Sequence, residues 1–319
     1  MNGFPVQKPF DLAAQPETKR WLIEGLWSDQ AVGIVGGEPK CCKSFLALDL
    51  AVAVASGAAC LRRFPTRQTG PVLLFAAEDA LDQVRRRIAG IAAAAQVSFE
   101  SLDIHVITVP EIRLDLSEDQ KLLEQTVVNL RPKLLVLDPF VRIHRVDENV
   151  AADVAPLLGF LRGLQRRHAT AVLLVHHARK GAAHLRAGLA LRGSSEIHAW
   201  GDSNLYLRRQ ADRLTLTVEH RSAAPMEGLP IVLKSSGQAL ALHAADYPPP
   251  NSPDTFAPAP TSAAQRIEQA LAASDEPLLL QQLRLASRMK TATLCKALMA
   301  LTASGRVLKA PEGYRLASR

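Results

Sequence analysis

The chain has 319 residues, 48% hydrophobic and 22% charged, with a net charge of +7 and a pI near 9.4. That composition excludes wholesale disorder, and the length predicts one large domain plus a small one. No apolar run approaches the roughly 18 residues of a membrane span, and residues 1–15 lack the basic and apolar regions of a secretory signal. A cytoplasmic protein with no membrane partner is therefore expected. The four cysteines, Cys41, Cys42, Cys60 and Cys295, have neither a disulfide framework nor a zinc-clamp spacing, which predicts reduced thiols.

In chain order, the first β-like run is Ala31–Val35. It leads into Gly36-Gly37-Glu38-Pro39-Lys40-Cys41-Cys42-Lys43-Ser44 and then the helical stretch Phe45–Ala55. The loop matches the phosphate-loop pattern G-x-x-x-x-G-K-[ST] at Gly37, Lys43 and Ser44, with Cys42 in place of the second glycine. Backbone N–H groups at a helix start cradle phosphates, so Gly37, Glu38, Pro39, Lys40, Cys41, Cys42, Lys43, Ser44 and Phe45 form the expected nucleotide cradle. Lys43 is expected on the β and γ phosphates and Ser44 on Mg²⁺. A Cβ at position 42 adds bulk and restricts φ, an expectation of slower turnover.

Further β-like runs at Val72–Ala76, Ile104–Val109, Leu134–Leu137 and Ala171–Val175 alternate with helical segments, the pattern of a parallel sheet covered on both faces. In such sheets ligands sit at the carboxyl ends of strands. Three ends carry chemistry. Leu134–Leu137 closes on Asp138, a carboxylate that orients Mg²⁺. Val72–Ala76 is followed by Glu78, placed as general base, and by Asp79, more suited to the next helix N-terminus. Ala171–Val175 stops at His176-His177, candidate γ-phosphate sensors.

The basic, glycine-containing stretch 179–192 follows, and its Lys180 and Arg186 are candidates for nucleic-acid backbone contact. Three later β-like runs, Ser203–Arg208, Arg213–Glu219 and Leu229–Lys234, read as antiparallel hairpins extending the sheet. Of the arginines at their ends, Arg208 and Arg221 are the candidates for completing a neighbouring subunit's site, ahead of Arg209.

Six prolines in residues 246–262 predict an extended linker, which divides the chain into 1–245, 246–262 and 263–319. The last piece is strongly basic, with nine Lys or Arg against four Asp or Glu over 262–319. Helical periodicity at 263–273, 278–288 and 291–304, then a hairpin with a Pro-Glu-Gly turn over 305–316, resembles a winged helix. Lys290, Thr291 and Lys296 lie near the start of its recognition helix, while Arg306, Lys309 and Arg315 lie on the wing.

Taken together, the phosphate loop, Phe75-Ala-Ala-Glu-Asp79, Leu134-Leu-Val-Leu-Asp-Pro139, Val175-His-His-Ala-Arg-Lys-Gly181 and Arg192-Gly-Ser-Ser-Glu196 resemble the RepA-like branch of RecA-type AAA ATPases. This branch includes hexameric replicative helicases of plasmids. The resemblance spans about residues 21–242. It implies an α/β RecA-like P-loop NTPase fold with ATP and Mg²⁺ between subunits of a ring. By motif it places Lys43 and Ser44 on phosphate and Mg²⁺, Glu78 in catalysis, Asp138 on Mg²⁺ and His177 as γ-phosphate sensor. The expected function is an ATP-hydrolysing DNA motor or loader of a mobile element. The alternative is an ATP-dependent DNA-binding regulator with little hydrolysis.

Overall fold

The computed structural model describes residues 4–12, 20–177, 195–210, 213–237, 239–245, 263–272, 274, 276–287 and 291–317. The chain divides into two compact units, Met1–Tyr247 and Pro248–Arg319. Among the described residues no helix is long and apolar enough to cross a membrane.

In the larger unit the elements run β1 (Trp21–Ile23), β2 (Trp27–Ser28), β3 (Val32–Gly37), α1 (Lys43–Ser56), β4 (Val72–Ala76), α2 (Leu81–Ala94), β5 (Ile104–Val106) and α3 (Ser117–Leu130). They continue as β6 (Leu134–Asp138), α4 (Ala151–His168), β7 (Ala171–His177), α5 (Ser195–Trp200), β8 (Ser203–Gln210), β9 (Arg213–His220), β10 (Met226–Ser236) and β11 (Ala239–Ala244). One nine-stranded sheet has the order β11-β10-β9-β8-β3-β7-β6-β4-β5. From β8 to β5 all neighbours are parallel, whereas β8 to β11 are antiparallel.

The apolar strands are contiguous because both faces are covered, and successive residues feed two different cores. Leu134, Val136, Leu173 and Val175 pack with α1 and α2. Leu135, Leu137, Val172 and Leu174 pack with α3 and α4. Helix α1 is buried nearly all round, from Leu46 to Val54. Helix α4 buries only the stripe Val154, Leu157, Leu158, Leu161 and Leu164, the spacing of one helix face. Truncating Leu161, which is 0% exposed, would cost about 2–5 kcal/mol.

Two features differ from the sequence expectation. The run starting at Ser203 pairs in parallel with β3, Gly33 opposite Ser203 and Gly37 opposite Leu207, and only then does the antiparallel extension begin. A further strand, β11, closes the hairpin from β10, with Ser236 opposite Ala239. It carries Ala241 and Leu242 into the α1/α2 core.

The smaller unit contains α6 (Ala263–Ala272), α7 (Leu280–Ser287), α8 (Thr291–Ala303) and the strands β12 (Val307–Ala310) and β13 (Gly313–Leu316). Its core is Ile267, Leu271, Leu283, Leu294, Leu298, Leu301 and Val307. The strands pair antiparallel, Val307 opposite Leu316 and Ala310 opposite Gly313. Helix α7 begins at Leu280 rather than Leu278, because Leu278 is exchanged into two backbone hydrogen bonds of 2.9 Å with Tyr314.

Candidate functional site

The carboxyl ends of the parallel strands are level. Gly37 of β3 lies opposite His177 of β7, and Ala76 of β4 lies opposite Asp138 of β6. The sheet therefore brings Lys43, Ser44, Glu78, Asp138 and His177 to one edge, although they are spread over more than a hundred residues of sequence.

Between β3 and α1 the loop is held by tight backbone geometry. Gly37 has φ +153°, and a Cβ there would sit 2.3 Å from the Leu207 carbonyl oxygen and 2.6 Å from the Cys41 sulfur. Cys42 is in the left-handed region, at φ 67° and ψ 27°, immediately before α1. Its carbonyl accepts the first helical hydrogen bond, from Leu46 N–H at 3.0 Å. A residue with a Cβ holds that conformation at a cost of roughly 1–2 kcal/mol, which is the physical meaning of the missing glycine. Lys40 is left-handed as well, at φ 65°.

Lys43 is only 5% exposed, and its ammonium donates to the Glu38 carbonyl at 2.9 Å. Burial pushes its pKa below the usual lysine value, opposed chiefly by the fields of Cys41, Asp138 and Glu78. The Asp138 carboxyl is pushed up to about 6 by burial, a shift partly offset by a hydrogen bond from Ser44 and reinforced by Asp79. His177 is held below the ordinary histidine value by burial first and then by Lys43, so its imidazole is neutral near pH 7. The Cys41 thiol is raised by burial.

Glu78 is at the same edge, but the structure supplies a neighbour that sequence reasoning missed. Arg142, in the turn after β6, donates from Nε to Glu78 Oε1 at 2.8 Å. Asp79 instead pairs with Arg87 of α2. A second cation here is Arg209, at the end of β8, which the sequence reading ranks behind Arg208 and Arg221; its guanidinium reaches 3.5 Å from the Cys42 sulfur. No local sequence signal marks Arg142, which arrives through sheet order.

Arg208 lies at the carboxyl edge too, one residue beyond Leu207. Arg221 lies at the opposite edge, where Arg221 Nε meets Asp202 at 3.2 Å and its terminal nitrogen donates to the Ala199 carbonyl at 2.7 Å. It is thus remote from this chain's own phosphate loop. His176 is 1% exposed and lies behind His177, its Nδ1 at 3.8 Å from Glu148.

In the smaller unit, Arg306 pairs with Glu268 at 2.8 Å, and the Lys309 ammonium lies 6.0 Å over the Tyr314 ring. Thr291 and Lys296 are on α8. Lys180, Arg186 and Lys290 lie outside the described residues.

The donor set fits Mg²⁺ delivered with phosphates. Among the described residues no group of three or more His, Cys, Asp or Glu could hold a metal alone. The Ser44 hydroxyl and the Asp138 carboxyl are in hydrogen-bond contact. Mg²⁺ takes one or two such oxygen ligands and completes its shell with phosphate oxygens and water.

A solved ATPase domain is similar to 67% of this chain over 85% of its own length, with 11% identity and a TM-score of 0.51. A KaiC-like protein from the archaeon Pyrococcus horikoshii OT3 is matched over 70% of this chain and 93% of that one, at 15% identity and a TM-score of 0.47. The strand order, the phosphate loop between β3 and α1 and the first of these likenesses define a RecA-like P-loop fold. The family model described as an AAA domain matches residues 5–183. With that match extending over more than half its length, the chain belongs to the AAA-domain family of nucleotide-binding proteins.

Proposed function

We propose that this protein binds ATP with Mg²⁺ and hydrolyses it to act on DNA, as a motor or loader of the RepA-like kind serving a mobile element. The observation that carries the proposal is the convergence of Lys43, Ser44, Glu78, Asp138 and His177 at one sheet edge, with Lys43 in the fields of both carboxylates. Backbone N–H groups from Gly37 to Phe45, Pro39 excepted, cradle the phosphates. Lys43 leaves the Glu38 carbonyl to meet the β and γ oxygens. Ser44 and Asp138 hold Mg²⁺, which when bound offsets phosphate charge. Glu78 accepts the proton of the attacking water, and Arg142 orients its carboxylate. Neutral His177 donates to the γ-phosphate, and Arg209 supplies a cation from the same chain.

Within the same reading the chain works as a homo-oligomeric ring, with Arg208 and Arg221 offered to a neighbour's phosphates. Residues 1–245 form the ATPase, 246–262 a linker and 263–319 a winged helix. Thr291, Lys296 and Lys290 meet DNA from the recognition helix, Arg306 and Lys309 from the wing, and Lys180 and Arg186 from the segment after β7. Measuring ATP hydrolysis with and without single-stranded DNA tests this reading. Stimulation that disappears in Lys43→Ala is expected, and a rate indifferent to DNA would remove the motor. The left-handed Cys42 favours one second reading, a regulator that ATP assembles on DNA; tight ATP binding without turnover would select it.

A further inference from the structure

The four free thiols of the chain have unlike surroundings. Cys60 is fully buried, its sulfur lies 3.3 Å from Asp49 Oδ1, and burial raises the thiol well above its ordinary value. Cys41 is buried as well, its sulfur filling the space that Gly37 leaves, 2.6 Å from where a Cβ would stand. Cys295 is half-buried on α8 of the smaller unit. Cys42 is also half-buried, but it stands at the N-cap of α1, where free backbone N–H groups favour negative charge.

Cations gather around this one sulfur. The Arg209 guanidinium is 3.5 Å from it, Lys43 is near enough for the field of Cys42 to act on its ammonium, and exposed Lys40 lies two residues before it. Reactive cysteines occupy electropositive, partly open surroundings of this kind, whereas buried ones are inert.

We infer that Cys42 is a site of reversible thiol–disulfide exchange with small anionic disulfides of the glutathione type, and that the adduct closes the phosphate loop. The inference rests on the proposed ATP site and adds a regulation of it. The Cys42 sulfur gives up its proton to water and attacks one sulfur of the disulfide. The reagent's S–S bond breaks, a mixed disulfide forms on Cys42, and the other half leaves as a thiolate that takes up a proton. Cys42 is oxidised and the reagent reduced, so the disulfide is the only oxidant required. Cys41 is too buried to resolve the adduct, which therefore persists until an external thiol removes it. While it persists, it fills the space that a phosphate needs at the start of α1.

The test treats the nucleotide-free full-length chain with glutathione disulfide, which is anionic, or cystamine, which is cationic, and maps the adducts by mass spectrometry. Glutathione disulfide is expected to label Cys42 ahead of Cys295, and about tenfold or more faster than cystamine does at low salt, the scale of electrostatic steering. Arg209→Ala and added salt should each narrow that preference. Calorimetry with inorganic tripolyphosphate is expected to show binding to the untreated chain, none to the labelled chain, and full recovery after reduction. The treated Cys42→Gly chain should bind tripolyphosphate as its own untreated sample does. Labelling of Cys42 no faster than of Cys295, no preference for the anionic reagent, a labelled chain that still binds, or a treated Cys42→Gly chain that does not, each overturns the exchange site while leaving the phosphate site standing. An untreated, reduced chain that fails to bind tripolyphosphate overturns the ATP reading itself.

Discussion

The carboxyl edge of the large sheet and the hairpin of the small unit both carry charge, in opposite environments. At the sheet edge Lys43 is 5% exposed, and the pKa values of Lys43, Asp138 and His177 are all moved mainly by burial. On the small unit the Arg306 side chain is 57% exposed. Buried charges without their full set of partners are costly and are resolved when a ligand arrives. Exposed ones are already hydrated and act by displacing counterions. The contrast parallels the two tasks proposed above, chemistry on a triphosphate and contact with a nucleic-acid backbone.

The sharpest way to break the contrast is Lys43→Ala, which is expected to lower kcat for ATP hydrolysis by about 10²–10³-fold, the scale of losing one charge-stabilising donor. Turnover within a few-fold of wild type would show that the buried edge is not the catalytic one. Asp138→Asn sharpens it in two directions. Mg²⁺-dependent hydrolysis falls, while the ligand-free fold at pH 8 gains about 1–3 kcal/mol in urea denaturation, because a buried carboxylate is removed. The sign follows from a folded-state value near 6 against an ordinary 3.8. Protonation favours the fold, so the gain is full above pH 6, shrinks as pH falls through 6, and vanishes by about pH 4.

A smaller effect is expected from Cys42→Gly, which relieves the left-handed strain at φ 67°. It should stabilise the ligand-free chain by about 0.5–1 kcal/mol, read as a shift in the urea midpoint. The smallest stability effects belong to the exposed region. Arg306→Ala and Lys309→Ala should leave the thermal midpoint nearly unchanged, since an exposed pair such as Arg306 with Glu268 contributes less than about 1 kcal/mol. Each should nevertheless reduce the slope of log affinity for DNA against log salt by about 1. An unchanged slope would take these two residues out of the DNA contact.

Which parts of this were legible in the sequence follows from burial. Strands β3, β4, β6 and β7 could be read because double-faced burial makes them continuous apolar runs, and their polar terminators Asp138 and His177 stand out at the ends. The two-residue β2 and three-residue β1 are too short to show any period. The parallel pairing of β8 was hidden because nothing local distinguishes a strand inserted beside β3 from one folded back in a hairpin. Arg142 was missed, and Arg209 was ranked behind Arg208 and Arg221, for the same reason: their positions beside Glu78 and Cys42 depend on sheet order, which a linear motif does not encode.

The phosphate loop imposes unlike demands at its two glycine positions. At 37 the demand is for empty space, since the neighbouring Leu207 carbonyl fills the volume any side chain would occupy. At 42 the demand is for a torsion angle, which an ordinary residue can meet with some strain. A lineage exploring substitutions in this loop therefore finds one door closed and the other merely stiff, so a cysteine at the second position is an accessible variant on the same scaffold.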